Sequence, residues 1–314
     1  MKCTNVGSKK LSAMTIGTVQ LGMNYGIAND AGKPDEEKSF AMLRTAFENG
    51  INSLDTARSY GNSEEVIGRF LKTWEGELPF ITTKVPNSGN TPSDKLESHV
   101  IDSVEQSLQR LGVSKVDAVM LHSTADVYTH GSHIAKAMEA LLKKGYTDQI
   151  GVSVYDGKDI AEMLKYPQYT VTQAPMSIFD QRLIASGTVN ELKQRDYTVF
   201  VRSVFLQGLF FLDPDAITDP ILVEHAAPKI RLLRQIAEAE GMSIAQLAIA
   251  FMRDTAGITS LVLGADTPQQ VKENIAYFDA PCLSESVMAT LRKEFAFVDI
   301  PEIMKVLSRP KPQN

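Results

Sequence analysis

The chain has few cysteines, one tryptophan and no long apolar run, and each scarcity narrows what it can be. Its 314 residues include two cysteines, Cys3 and Cys282, near opposite ends. That pair offers neither metal-ligand spacing nor a disulfide framework, so free thiols in a reducing cytoplasm are expected. No segment approaches the roughly 20 apolar residues needed to span a bilayer. The opening residues, Met1-Lys2-Cys3-Thr4-Asn5-Val6-Gly7, lack the apolar stretch of a signal peptide. Lys and Arg total 32 against 38 Asp and Glu, a net charge of -6, with the signs mixed along the chain. Neither nucleic acid nor a membrane is therefore an expected partner. The first strand-to-helix turn, Gly22-Met23-Asn24-Tyr25-Gly26, also lacks the glycine fingerprint of a doubly wound dinucleotide fold.

What the chain does contain is a repeating strand-then-helix pattern. Strand-like runs fall at 15–21, 51–55, 80–85, 116–122, 149–153, 170–174, 198–202 and 260–263. Helical patterns fall at 36–48, 63–72, 93–111, 132–144, 158–164, 183–195, 228–240 and 267–277, with a further helix at 243–251. Eight such units predict one α/β domain over residues 1–314, a closed (β/α)8 TIM barrel. The residues up to Ala13 are expected to form a short hairpin across the barrel floor. Ser63 before Glu64 and Glu65 reads as a helix cap, Gly50 as a helix stop and Pro268 as an early helix residue. Segments 123–131 and 203–227 follow strands and belong on the active face, and C-terminal loops in 281–314 are expected over it.

Four chemically active residues fall at or just beyond strand ends: Asp55, Tyr60, Lys84 and His122. In a parallel barrel the C-terminal strand ends share one face, where chemistry is built from several strands. Singly, each residue has a plainer reading: a packed tyrosine, a surface Asp–Lys pair, a structural histidine. Together at successive strand ends they make a set suited to placing a proton on a carbonyl oxygen while another group supplies hydride. A lysine ammonium near Tyr60 would lower the phenol's pKa, and Asp55 would fix that ammonium. His122 would align the carbonyl. His130 and His133 have a spacing a metal can use but no accompanying Asp, Glu or Cys, and no metal is expected.

The run Leu54-Asp55-Thr56-Ala57-Arg58-Ser59-Tyr60-Gly61-Asn62-Ser63-Glu64-Glu65-Val66-Ile67-Gly68 resembles the signature of the aldo-keto reductases. The resemblance continues in order through Lys84, 107–112, His122, 151–153, Gln173, 203–208 and 263–274, spanning nearly the whole chain. It implies a barrel that binds an extended nicotinamide dinucleotide and reversibly reduces an aldehyde or ketone, with Tyr60 as proton donor. It places Ser153 and Gln173 on the nicotinamide carboxamide, although Val154 stands where asparagine is common. Arg202 stands where an aromatic ring commonly stacks on the nicotinamide; it could stack too, or reach the pyrophosphate or a substrate anion. Ser203, Phe205, Gln207 and Gly208 would follow the pyrophosphate, with Gly17 and Thr18 also on the cofactor side.

At the adenosine end the resemblance places Gly264, Asp266 and Gln270 where NADPH-preferring members often carry cations, and Glu273 and Asn274 on adenine. NADP(H) is the family default, but Asp266 would repel a 2′-phosphate, which makes NAD(H) a candidate. A cation from another loop is the alternative. Tyr25, Arg58 and Ser123 are the expected substrate contacts, with Asn24, Ser59 and Thr124 beside them. A mostly polar mouth of this kind suits a small, sugar-like carbonyl, although Phe205, Phe210 and Phe211 come from one of the loops. A cofactor-sensing regulatory subunit on the same fold and a non-redox barrel lyase remain as other classes. The sequence leaves the oligomeric state open.

Overall fold

The computed structural model describes residues 1–26 and 32–309. Two short antiparallel strands, β1 (Cys3–Val6) and β2 (Lys9–Ser12), come first and pair with each other. Eight parallel strands then close on themselves: β3 (Met14–Gly17), β4 (Ser53–Asp55), β5 (Phe80–Val85), β6 (Val116–Leu121), β7 (Thr147–Ser153), β8 (Val171–Pro175), β9 (Thr198–Arg202) and β10 (Ser260–Leu263). Pairing of β10 with β3 completes the barrel, as the strand–helix alternation predicts. Among the described residues no helix is long and apolar enough to cross a membrane.

The hairpin stops the floor of the barrel. Leu11 is fully buried and, with Val6, packs against Phe80, Ala118, Met120, Val171 and Phe200. Lys9 also pairs with Asp117 at 2.8 Å, and Asp117 accepts from the Ile81 N–H at 2.7 Å, so the hairpin is tied to β5 and β6. Side chains alternate across a strand with period two. Phe80 lies in the interior cluster, so Thr82 and Lys84 are set to the same side higher up. The same parity leads from Val171 to Gln173, from Phe200 to Arg202 and from Ala118 through Met120 to His122. Sequence spacing within these strands thus lifts polar residues to the mouth above the apolar cluster, while β3, β4 and β10 bury a hydroxyl cluster of Thr15, Ser53 and Ser260 below.

Several elements differ from the sequence reading. The first barrel strand ends at Gly17, and Val19–Gly22 is a helical turn, not a strand continuation. The helix expected over 183–195 is two short ones, Arg182–Ala185 and Thr188–Gln194, parted by Gly187 at φ 76°. Asn62, not Ser63, precedes the next helix, and the Ser63 hydroxyl instead donates to the Thr18 carbonyl at 2.9 Å. Loop 123–131 contains the helix Ala125–His130, and 203–227 contains Leu206–Phe211 and Pro220–His225. The C-terminal segment, described as far as Arg309, forms helices Glu285–Glu294 and Ile300–Leu307. It reaches the active face through Phe295, which stacks on Phe179 at 5.2 Å in the loop after β8. Gly50 at φ 84° and Pro268 at the start of Pro268–Phe278 take their expected places.

Candidate active site

Strand register gathers the four mouth residues. Asp55 closes β4, Lys84 is the penultimate residue of β5 and His122 follows β6. Lys84 Nζ donates to Asp55 Oδ1 at 2.7 Å and to the Thr56 carbonyl at 3.0 Å. It lies 3.4 Å from Tyr60 Oη. All three ammonium donors therefore have acceptors, which is what a fully buried charge needs. Burial favours the neutral amine, but Asp55 and the Tyr60 phenol together outweigh it and hold the ammonium above its ordinary range.

Tyr60 arrives by a tight backbone contact. The Tyr60 N–H donates to the Ala57 carbonyl at 3.0 Å, and its own carbonyl accepts from Ser63 at 3.0 Å. A Cβ on Gly22 would stand 1.7 Å from the Tyr60 carbonyl oxygen. Gly61, at φ 55°, likewise leaves no room for a side chain against the Gly22 carbonyl. These two glycines press the loop carrying Tyr60 onto the turn after β3. Its ring meets His122 edge-on at 5.5 Å.

Titration behaviour follows from this packing. Burial pushes the Tyr60 phenol above its usual value, and the opposing pull of Lys84 is the smaller effect. The net depression expected from the sequence is therefore reversed, because the ring's loss of solvent outweighs the neighbouring charge. His122 is pushed down to about 4 by burial, then by the Lys84 and Arg202 charges. It is thus a neutral imidazole across the physiological range. Its Nδ1 lies 3.0 Å from Ser59 Oγ, which leaves Nε2 to carry the ring proton when Ser59 donates.

A cleft of about 420 Å³ is lined by Asp55, Tyr60 and Gln173, and also by Asp266, Gln270, Glu273 and Asn274 from the turn after β10 and the helix that follows; Lys84 and His122 stand behind this lining. Gly17, Thr18, Arg202, Ser203, Phe205, Gln207, Gly208, Gly264 and Tyr25 line the cleft as well. Along one wall, Ser203, Leu206 and Gln207 have φ of 64°, 46° and 57°, followed by Gly208 at 96°. Left-handed backbone at three non-glycine residues costs about 1 kcal/mol or more each, and such strain clusters at ligand clamps. Lining drawn from β3, β4, β8, β9 and the helix after β10, together with this strained strap, fits an extended dinucleotide.

Other expected residues take varied positions. Gln173 Nε2 donates to Asp55 Oδ1 at 2.7 Å, so it already joins the charged cluster. Ser153 is buried at the end of β7, beside the cleft lining, and its carbonyl accepts from Thr124 Oγ1 at 3.4 Å. Gln270 Oε1 accepts from the Asp266 N–H at 2.6 Å, bracing the turn after β10. Asn274 Nδ2 donates to the Gly264 carbonyl at 3.4 Å. Arg58 turns outward to Gln106, and Ser123 Oγ accepts from the Ala125 N–H at 3.1 Å at the start of a helix. Phe210 is buried against Phe179 at 4.7 Å, whereas Phe205 and Phe211 pack together on the cleft wall. His130 and His133 each face a backbone carbonyl, Gly89 at 3.2 Å and His130 at 3.3 Å.

Sequence reasoning missed Gln20, which lines the cleft so close to Gly264 that a Cβ there would meet its amide at 2.3 Å. Its signal was hidden because 15–21 reads as a continuous strand. Tyr277 and Val204 were missed too: a lining tyrosine one helical turn beyond Asn274, and an apolar residue inside a polar strap.

Comparison with known proteins agrees with this geometry. The sequence pattern described as "Aldo/keto reductase family" matches residues 13–294. An L-glyceraldehyde 3-phosphate reductase of Escherichia coli O157:H7 is 26% identical, covering 91% of this chain and 90% of its own. An NADH-specific methylglyoxal reductase of Escherichia coli K12 is 28% identical, covering 91% and 95%. The glycerol dehydrogenase structure from Gluconobacter oxydans has a TM-score of 0.77 at 21% identity, covering 99% and 98%, and shares the fold. The barrel, the matched span and these relatives together place the chain in the aldo/keto reductase family, as an oxidoreductase.

Proposed function

We propose that the chain reduces a small polar aldehyde or ketone to the alcohol, with Tyr60 as proton donor and NADH as the preferred reductant. The observation that carries this reading is the Asp55–Lys84–Tyr60 contact chain with His122 against it, opening through Asp55 and Tyr60 onto the cleft. When bound in the cleft, a reduced nicotinamide would supply the hydride for the carbonyl carbon. The chain's own residues do the rest. Tyr60 holds its proton through the working pH range, because burial raises its pKa, and gives it to the carbonyl oxygen as that oxygen gains charge. Lys84 stabilises the phenolate left behind, and Asp55 keeps the ammonium in place. Neutral His122 donates Nε2–H to the same oxygen and sets its angle. Reversal needs the phenolate and is therefore favoured at higher pH.

Ser153, Gln173 and the strap from Ser203 to Gly208 would hold the nicotinamide half, and Glu273 and Asn274 the adenine. The NADH preference rests on the lining at the turn after β10 and the helix that follows. Gln270 is engaged with the Asp266 N–H, Glu273 lines the cleft beside it, and the one Lys or Arg among the described lining residues, Arg202, ends β9 instead. A 2′-phosphate would meet the Glu273 carboxylate there. Tyr25 on the cleft wall is the favoured substrate contact of those expected, since Arg58 and Ser123 bond elsewhere.

Tyr60→Phe tests the reading. Carbonyl reduction should fall by roughly 10²–10⁴-fold with NADH affinity retained, the range for loss of a general acid. Undiminished turnover in that variant would sink the assignment of Tyr60.

A further inference from the structure

Arg202 is the only cation among the described residues lining the cleft. It ends β9, two residues beyond the interior Phe200, so the strand directs it into the barrel mouth. Its Nη2 donates to the Val154 carbonyl at 3.3 Å and its Nη1 to Ser203 Oγ at 3.5 Å. The guanidinium lies over the Tyr155 ring, 4.8 Å from its centroid. Both hydrogen-bond acceptors are neutral and both bonds are long, and among the described residues Arg202 has no carboxylate partner. A half-buried guanidinium normally finds a carboxylate or phosphate, which its planar fork binds in bidentate fashion. Its charge is felt at Tyr25, Tyr60 and His122, so it shares their end of the cleft.

We infer that Arg202 binds an anionic group, carboxylate or phosphate, carried by the carbonyl substrate a short chain away from the carbon that is reduced. The inference rests on the reductase reading and narrows it: the preferred substrates are short hydroxy-aldehydes or keto compounds bearing one negative group. Tyr155 holds the guanidinium plane from one side, and Val154 and Ser203 hold its edge. The same residue could serve a cofactor phosphate instead, and the experiment separates these sources.

The test uses two matched pairs: glyceraldehyde with glyceraldehyde 3-phosphate, and butyraldehyde with succinic semialdehyde. kcat and KM are measured for wild type, Arg202→Gln and Arg202→Lys, alongside NADH affinity. Wild type should favour the charged member of at least one pair, mainly through KM. Arg202→Gln should cut that charged-to-neutral ratio by roughly 10–100-fold, the worth of one charged hydrogen-bonded pair. Arg202→Lys should fall between, since it keeps the charge and loses the fork. In wild type, added salt should raise KM for the charged member alone, a readout that stands even if a variant fails to fold. No charged-over-neutral preference in wild type overturns the inference while turnover of the neutral members keeps the reductase reading. Equal losses for both members with weakened NADH binding also overturn it and give Arg202 to the cofactor. Absence of any carbonyl reduction by wild type removes the reductase reading itself.

Discussion

At the residue scale, the site is one buried charge pair with a phenol and a neutral imidazole set against it. Lys84 keeps its charge because Asp55 and the Tyr60 phenol outweigh its burial, and removing either member of the Lys84–Asp55 pair would leave the other buried without its counter-ion, a cost of about 3–5 kcal/mol. His122 gives a pH prediction. Its folded pKa of about 4 lies below the ordinary 6.5, so the unfolded chain takes up a proton first as pH falls. The His122 contribution to stability should therefore drop as pH falls from 6.5 toward 4 and level off below, and His122→Gln should melt with a shallower acid slope over that interval. Identical slopes in thermal melts of the two proteins would contradict the buried neutral state. The four residue types and their places after strands were legible in the sequence. The direction of the Tyr60 shift was not, because desolvation depends on how deeply the ring is packed, and a one-dimensional reading supplies only the neighbouring charge.

At the element scale, the turn after β3 and the loop of Tyr60 set the geometry, and the proposed NADH preference belongs to the turn after β10. Gly22→Ala should force the Tyr60 backbone away, since its Cβ would overlap the Tyr60 carbonyl. Overpacking costs about 1–3 kcal/mol, and here it should also lower kcat more than NADH affinity. A variant with native melting temperature and native kcat would show that the two loops slide freely. For the turn after β10, wild type should bind NADH more tightly than NADPH. Gln270→Arg should shift that ratio toward NADPH by roughly 10-fold, the worth of one charge-assisted bond. Equilibrium titration of both proteins with both dinucleotides decides it, and tighter NADPH binding by wild type would contradict the charge argument. Gln270 and Asp266 were readable from their alignment with the family pattern. Gln20 and the break at Gly187 were not: one lies in a run of strand-like residues that turns helical, and the other in a helical pattern that continues on both sides of a glycine.

At the scale of the whole molecule, the barrel was legible because strand and helix patterns alternate eight times, and several strands run from apolar below to polar at the carboxyl end. Phe80 to Lys84, Val171 to Gln173 and Phe200 to Arg202 are three instances of that order. The C-terminal segment was less so, since its helices dock through Phe295 and Phe179, residues whose partnership no local pattern announces. These levels meet in the proposed reaction, in which hydride and proton would reach one carbonyl at the mouth of this barrel. The most direct measurement supplies wild type with NADH deuterated at the transferring carbon and with glyceraldehyde 3-phosphate, and reads the product by mass spectrometry. The account predicts one deuterium on the newly formed alcohol carbon and an equal amount of oxidised dinucleotide. An unlabelled product, or label without matching cofactor oxidation, would contradict it.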